Sequence, residues 1–123
     1  VNDTRVAYTR YSRNRWSAAG SPNESDWVAV DFAALHRVSR VDVHFVDSER
    51  GLAPPTRYTV QVWDGKSWKD ARVRRVAPER PQGWAQNTVY VEPVETSRVR
   101  VVFEHARPNA TAVSEIVILE EDR

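Results

Sequence analysis

Cysteine is absent from the 123-residue chain, which excludes disulfides, thiol catalysis and thiolate zinc sites at once. Glycine is scarce: Gly20, Gly51, Gly65 and Gly83 are the only 4, and none belongs to a glycine-rich phosphate loop. Net charge is lacking too. Lys and Arg number 18 against 17 Asp and Glu, a formal balance of +1, and this gives no electrostatic case for nucleic acid or an anionic membrane surface. No apolar run approaches the roughly 20 residues of a membrane-spanning helix. Helical periodicity is also missing, and 7 prolines interrupt the stretches that could carry it. Neither Gly-x-Ser-x-Gly nor His-Glu-x-x-His occurs, which removes the α/β-hydrolase elbow and the zincin helix.

What the chain has is alternation. Val28, Val30 and Phe32 are interleaved with Trp27, Ala29 and Asp31, and Val41, Val43 and Phe45 with Asp42 and His44. Tyr58, Val60 and Val62 follow the same rule, as do Val99, Val101 and Phe103, then Ile116 and Ile118. Val89 and Val91 flank Tyr90, and residues 68–76 read as one or two weaker strands. Side chains on a strand point to opposite faces in turn, so each segment has one face to bury. Many short strands separated by turn residues predict an all-β, antiparallel sandwich of about eight main strands. The hydrophobic fraction of 41% suits a folded chain, and the length suits a single module over 1–123. Starting at Val1 without methionine, it is expected to be a piece of a longer protein.

The connections differ in length. Those at 33–37, 64–67 and 93–96 are short, and Asp64-Gly65 is a hairpin signal. Those at 9–26, 47–56, 77–86 and 105–112 are long. Connections between successive antiparallel strands alternate between the two ends of a sandwich. The short ones therefore share one end and the long ones the other, and binding residues concentrate on such loops.

The long connections carry Tyr11, Asn14 and Trp16, then Asp47 and Arg50, then Trp84, then His105 and Arg107. Aromatic rings beside Arg, Asn, Asp and His suit a sugar, whose C–H face stacks on a ring and whose hydroxyls need fixed donors and acceptors. A structural reading stands beside each. Trp16 and Trp27 suit packing, and Trp63 and Trp68 suit a contact across the 64–67 hairpin. Tyr11, Trp84 and His105 suit either ligand contact or local structure. Asp47 and Glu49, with Glu79 or Asp26 opposite, could form the carboxylate pair of a small hydrolase, but any chain with 17 acidic residues offers such pairs.

Asn14-Arg15-Trp16, then Trp27-Val28-Ala29-Val30-Asp31-Phe32, then Val38-Ser39-Arg40-Val41 resemble the start of coagulation-factor-type C (discoidin) modules. Tyr58 to Trp68, with its Asp-Gly turn, resembles the next signature, and Arg98–Phe103 and Ala112–Ile116 the last two strands. The variant is similar to family 32 carbohydrate-binding modules appended to bacterial glycoside hydrolases. That resemblance implies a galactose-binding-like, jelly-roll sandwich that binds no nucleic acid or membrane. It implies a secreted, monomeric, non-catalytic module that targets a covalently linked catalytic domain to galactose-, arabinose- or uronate-containing polysaccharide. The alternative is an accessory domain that packs on its catalytic neighbour and binds no sugar. The implied ligand residues are Tyr11, Asn14, Arg50, Trp84 and His105, with Asp47 next. A structural Ca²⁺ is also implied, with Asp3, Asn14 and Glu115 as ligands and Thr4 standing where the family has Gly.

Overall fold

The computed structural model describes residues 4–17, 23–48 and 51–121, with the backbone alone for 4–17 and 121. The strands are β1 (Thr4–Ser17), β2 (Ser25–Phe45), β3 (Arg57–Trp63), β4 (Trp68–Asp70), β5 (Val73–Ala77), β6 (Asn87–Glu104) and β7 (Ala112–Glu121). All pair antiparallel, in the order β1-β7-β2-β6-β3-β4, with β5 also on β6.

β2 and β6 are long because each serves two sheets. Ser25–Asp31 of β2 runs beside Arg98–Glu104 of β6, and His36–Val43 runs beside Asn87–Thr96. Between the halves the ribbon bends, with Ala33 in the left-handed region at φ 62° and its N–H on Asp31 Oδ1 at 2.8 Å. One half carries β3 and then β4. The other carries β7 and β1 beside β2, and β5 beside β6. The bent ribbon lays the apolar faces of both halves together. Val30, Val99 and Val101 from one half share a single core with Val38, Val41, Val43 and Val89 from the other. The core is built largely of valine, whose branched Cβ favours the extended backbone.

The sandwich and its alternating strands are those the sequence predicts. Three boundaries are corrected. Residues 33–37 and 93–96 are bends within continuous strands, because pairs such as His36 with Thr96 carry the ladder through them. The long connection expected over 9–26 is shorter, because β1 stays paired with β7 as far as Ser17.

The separation of the two ends holds. Ser25 and Arg57 both lie opposite Glu104, while Ser17 pairs with Ala112 and Phe45 with Val113. The connections that adjoin these residues therefore meet at one end. At the other end the β3–β4 hairpin turns through Gly65 at φ 100°, where Asp64 Oδ1 accepts the N–H groups of Lys66 and Ser67 at 2.8 Å each. Those backbone bonds, Ser67 first, hold the exposed Asp64 carboxyl below its ordinary range. Trp63 and Trp68 meet edge to face across the hairpin, 5.4 Å between centroids. On the outer face of the same sheet, Arg100 lies over the rings of Trp68 at 4.6 Å and Trp27 at 5.2 Å. Trp27, 51% exposed, is therefore one side of a cation–π sandwich and not a core residue.

Two predictions follow from the core. Phe45 is fully buried and edges against both Tyr58 and Phe103. Phe45→Ala is expected to cost about 3–5 kcal/mol in urea unfolding, and a loss under about 1 kcal/mol would show that the two sheets do not depend on it. Tyr58 carries a buried hydroxyl with no hydrogen-bond partner, and burial raises it from 10.0 to about 12. The unfolded chain then releases the phenolic proton first. Tyr58 stabilises the fold fully below pH 10, and that contribution is lost as pH rises through about 12. Tyr58→Phe should flatten this alkaline decline without destabilising the protein at neutral pH, since no hydrogen bond is lost. Urea midpoints for both proteins between pH 9 and 12 test it.

Candidate functional site

The long connections are tied to one another by backbone bonds. Val46 N–H donates to the Ala112 carbonyl at 2.9 Å, Ala53 N–H to Ala110 at 3.0 Å, and Ala110 N–H to Gly51 at 2.9 Å. His105 N–H donates to the Glu24 carbonyl at 3.0 Å, and the Arg107 guanidinium donates to the Asn23 carbonyl. Three of the long connections are thus tied into one rim.

His105 lies beneath that rim. It is only 6% exposed, Nε2 is 2.6 Å from Asp26 Oδ2, and Nδ1 is 2.8 Å from Thr111 Oγ1. Nδ1 also accepts the Thr111 backbone N–H at 3.2 Å. It is therefore the acceptor, and Nε2 carries the proton donated to Asp26. This corrects the expectation of His105 as a ligand residue: both ring nitrogens are engaged inside the protein, and the ring clamps the 23–26 and 105–111 segments together.

Trp84 is the opposite case. It is 61% exposed, the largest exposure of any aromatic residue among those described. Its backbone lies in the left-handed region at φ 53°, an outlier for a bulky residue that persists only when its surroundings over-determine it. Three devices do so here. Trp84 N–H donates to the Phe45 carbonyl at 2.9 Å, and indole Nε1–H to the Asp47 carbonyl at 2.6 Å. Gly83 bridges Phe45 so closely that a methyl group on it would overlap the Asp47 Cβ. Asn87, fully buried at 0% exposure, closes the loop from below. Its Oδ1 accepts Gln82 N–H at 2.8 Å, and its Nδ2 donates to the carbonyls of Gln82, Ala85 and Val43 at 2.8, 3.1 and 3.2 Å.

Asp47 meets Trp84 through its backbone oxygen, which leaves its exposed carboxylate at the rim. Tyr11 and Asn14 are on β1 and not on a loop, with Tyr11 opposite Glu115 in mid-strand; their side chains lie outside the described residues. Arg50 lies outside them entirely.

Of the expected calcium ligands, Glu115 lies opposite Tyr11 of β1, and the side chain of Asn14 lies outside the described residues. Asp3, the residue before Thr4, lies outside the described residues. Among the described residues no three His, Cys, Asp or Glu side chains cluster to hold a metal ion.

Sequence reasoning missed Gly83, Asn87 and Thr111, and it named Asp26 only as a possible carboxylate partner and not as the partner of His105. Gly83 carried a signal, as one of few glycines and next to a tryptophan. The others act through contacts between residues distant in sequence, which no local pattern marks.

The family model for the F5/8 type C domain matches residues 2–116. No curated protein matches significantly. Among solved structures, a chain of the Streptococcus pneumoniae beta-galactosidase BgaA is similar at TM-score 0.75 and 20% identity, over 89% of this chain and 78% of that one. The module CpGH89CBM32-6 from Clostridium perfringens is similar at TM-score 0.62 and 15% identity, over 97% and 93%. CpGH89CBM32-5 from the same organism, solved with GalNAc-beta-1,3-galactose, is similar at 0.62 and 10%, over 95% and 94%. At these identities the likeness speaks for the fold.

The pose of Trp84 can be tested without a ligand. Asn87→Ala strands one N–H and several carbonyls and is expected to cost about 1–3 kcal/mol. Gly83→Ala should displace the 82–86 loop and move the Trp84 indole N–H resonance away from its hydrogen-bonded position. An unmoved resonance in Gly83→Ala would show that this close approach does not hold Trp84.

Proposed function

The chain belongs to the F5/8 type C (discoidin) family, and on that premise we propose that it is a non-catalytic carbohydrate-binding module whose rim of long loops takes the sugar. The observation that carries the reading is Trp84: a largely exposed indole held in a strained backbone conformation by two hydrogen bonds. Folding gains little from an exposed ring, whereas a rigid apolar plate is what the C–H face of a pyranose stacks on. The Asp47 carboxylate beside it supplies an acceptor for sugar hydroxyls. Carbohydrate-binding modules of glycoside hydrolases among the structural neighbours, one of them solved with a disaccharide, support the same reading.

The module then serves a linked glycoside hydrolase. Holding the enzyme on its polymer raises the effective concentration of cleavable bonds. Galactose-, arabinose- and uronate-containing polysaccharides are the ligands proposed, for a secreted and monomeric module. An open rim with one stacking ring is expected to bind weakly, with Kd on the order of 0.1–1 mM, or about 4–5 kcal/mol.

Titration calorimetry with galactosides, arabinosides and uronates tests this. Trp84→Ala should weaken binding by about 2 kcal/mol or more, roughly 30-fold, while Trp84→Phe retains part of it. Wild type that binds none of these sugars and self-associates in sedimentation would favour the accessory-domain alternative, with Trp84 meeting a protein neighbour.

A further inference from the structure

The outer face of the β2–β6–β3–β4 sheet carries Arg100 at its centre. Its cross-strand partners are Ala29 of β2 and Gln61 of β3. Ala29 is too small to fill its place, and the guanidinium lies instead between two indoles, 5.2 Å from the Trp27 centroid and 4.6 Å from that of Trp68. Arg100 Nε–H donates to Gln61 Oε1 at 2.7 Å, and Gln61 Nε2–H donates in turn to Asp70 Oδ1 at 2.9 Å. Two rings and one hydrogen bond thus fix the plane and direction of the guanidinium before anything binds it.

The other cations of this face are neutralised in pairs. Arg98 meets Asp31 at 3.1 Å, Arg57 meets Glu104, and Lys69 lies 3.6 Å from Asp64. Arg100 differs. Among the described residues it pairs with no carboxylate, and its Nη1 and Nη2 groups have no acceptor. Partial burial holds its pKa below the ordinary guanidinium value, as for a charge that has lost water without gaining a counter-ion. A cation would be repelled here. A neutral hydroxyl could accept from the fork but would leave its charge uncompensated. A carboxylate satisfies it with two parallel N–H···O bonds. Trp27, 51% exposed, stands beside the fork, and its apolar ring suits the C–H groups of a pyranose better than an extended acidic peptide.

We propose that Arg100, with Trp27 and Trp68, forms a second binding site on the sheet face, which takes the carboxylate of a uronate residue. The choice of a sugar rests on the carbohydrate reading above. The site itself shares no residue with the loop rim, where Trp84 stands beside the Asp47 carboxylate. The two surfaces then divide the work, neutral sugar at the rim and acidic sugar on the sheet.

The test is an NMR titration of the folded chain with methyl α-D-galacturonide and with methyl α-D-galactoside, which differ by the carboxylate. Acetate and triglutamate are the controls for a carboxylate without a sugar. The Trp27 and Trp68 indole N–H and Arg100 Nε–H signals are expected to shift and saturate with the galacturonide, not with the galactoside, and less so at high salt. Arg100→Gln should weaken the galacturonide roughly tenfold or more, with Arg100→Lys, which keeps the charge and loses the fork, between it and wild type. Trp27→Ala, at an exposed ring, should weaken it roughly fivefold, and Trp84→Ala should leave it unchanged. The Trp84 indole signal reports the rim in the same titration, so failure of either site is read separately. Unmoved Trp27 and Trp68 signals with the galacturonide, an equal response to the galactoside or to acetate, a tighter response to triglutamate, or full binding by Arg100→Gln would overturn the proposal.

Discussion

The ladder between β2 and β6 is the constraint from which the rest of the architecture follows. Among the described residues it is the one strand pair that belongs to both sheets, and its bend at Ala33 brings their apolar faces together. Each half then presents a free edge to the remaining strands, β3 on one side and β7 and β5 on the other. Without the bend the same residues would form a single open sheet with one face of valines in water. At about 25 cal/mol per Å² of apolar surface, that arrangement loses to the sandwich by a wide margin. The positive φ at Ala33 is a cost of order 1–3 kcal/mol, small beside the burial it permits.

The bend also sorts the connections. Once β2 doubles back, long and short links separate to opposite ends, and the molecule acquires two chemically different poles. One is a rim of four interlocked segments around Trp84. The other is a hairpin and a bend around Trp63, lined by Asp64, Asp70, Glu92 and Glu95 beside Lys69 and Arg72. β1 starts and β7 finishes at the second pole, where Thr4 meets Glu121.

Alternation made the strands legible in the sequence, and antiparallel geometry made the two poles legible from connection lengths alone. The ends of β1 were not legible. Residues 9–17 read as polar loop because the apolar pattern is broken there, and the structure has register shifts between Val6 and Tyr8 and between Tyr11 and Trp16. Such irregularities destroy the period of two while the backbone keeps its ladder. His105 was misread for a different reason. From sequence, a histidine opening a long loop looks like a ligand residue; only the fold brings Asp26 and Thr111 to its two nitrogens. Trp84 was legible as a candidate because it stands in a polar segment, and its support by Asn87 and Asp47 was not.

That support bears on what the rim can do. A flexible aromatic side chain loses about 0.5–1.5 kcal/mol of freedom when a ligand fixes it, a large share of the 4–5 kcal/mol in a weak sugar complex. Here the indole N–H is already bound to Asp47 and the loop is already bound to Asn87, so the ordering is complete before any ligand arrives. The same bonds stabilise a backbone conformation that a tryptophan otherwise avoids. A loop selected for stability alone would place a glycine or asparagine at that φ and turn a large ring away from water. The arrangement is understandable where the ring is kept outside for something to rest on.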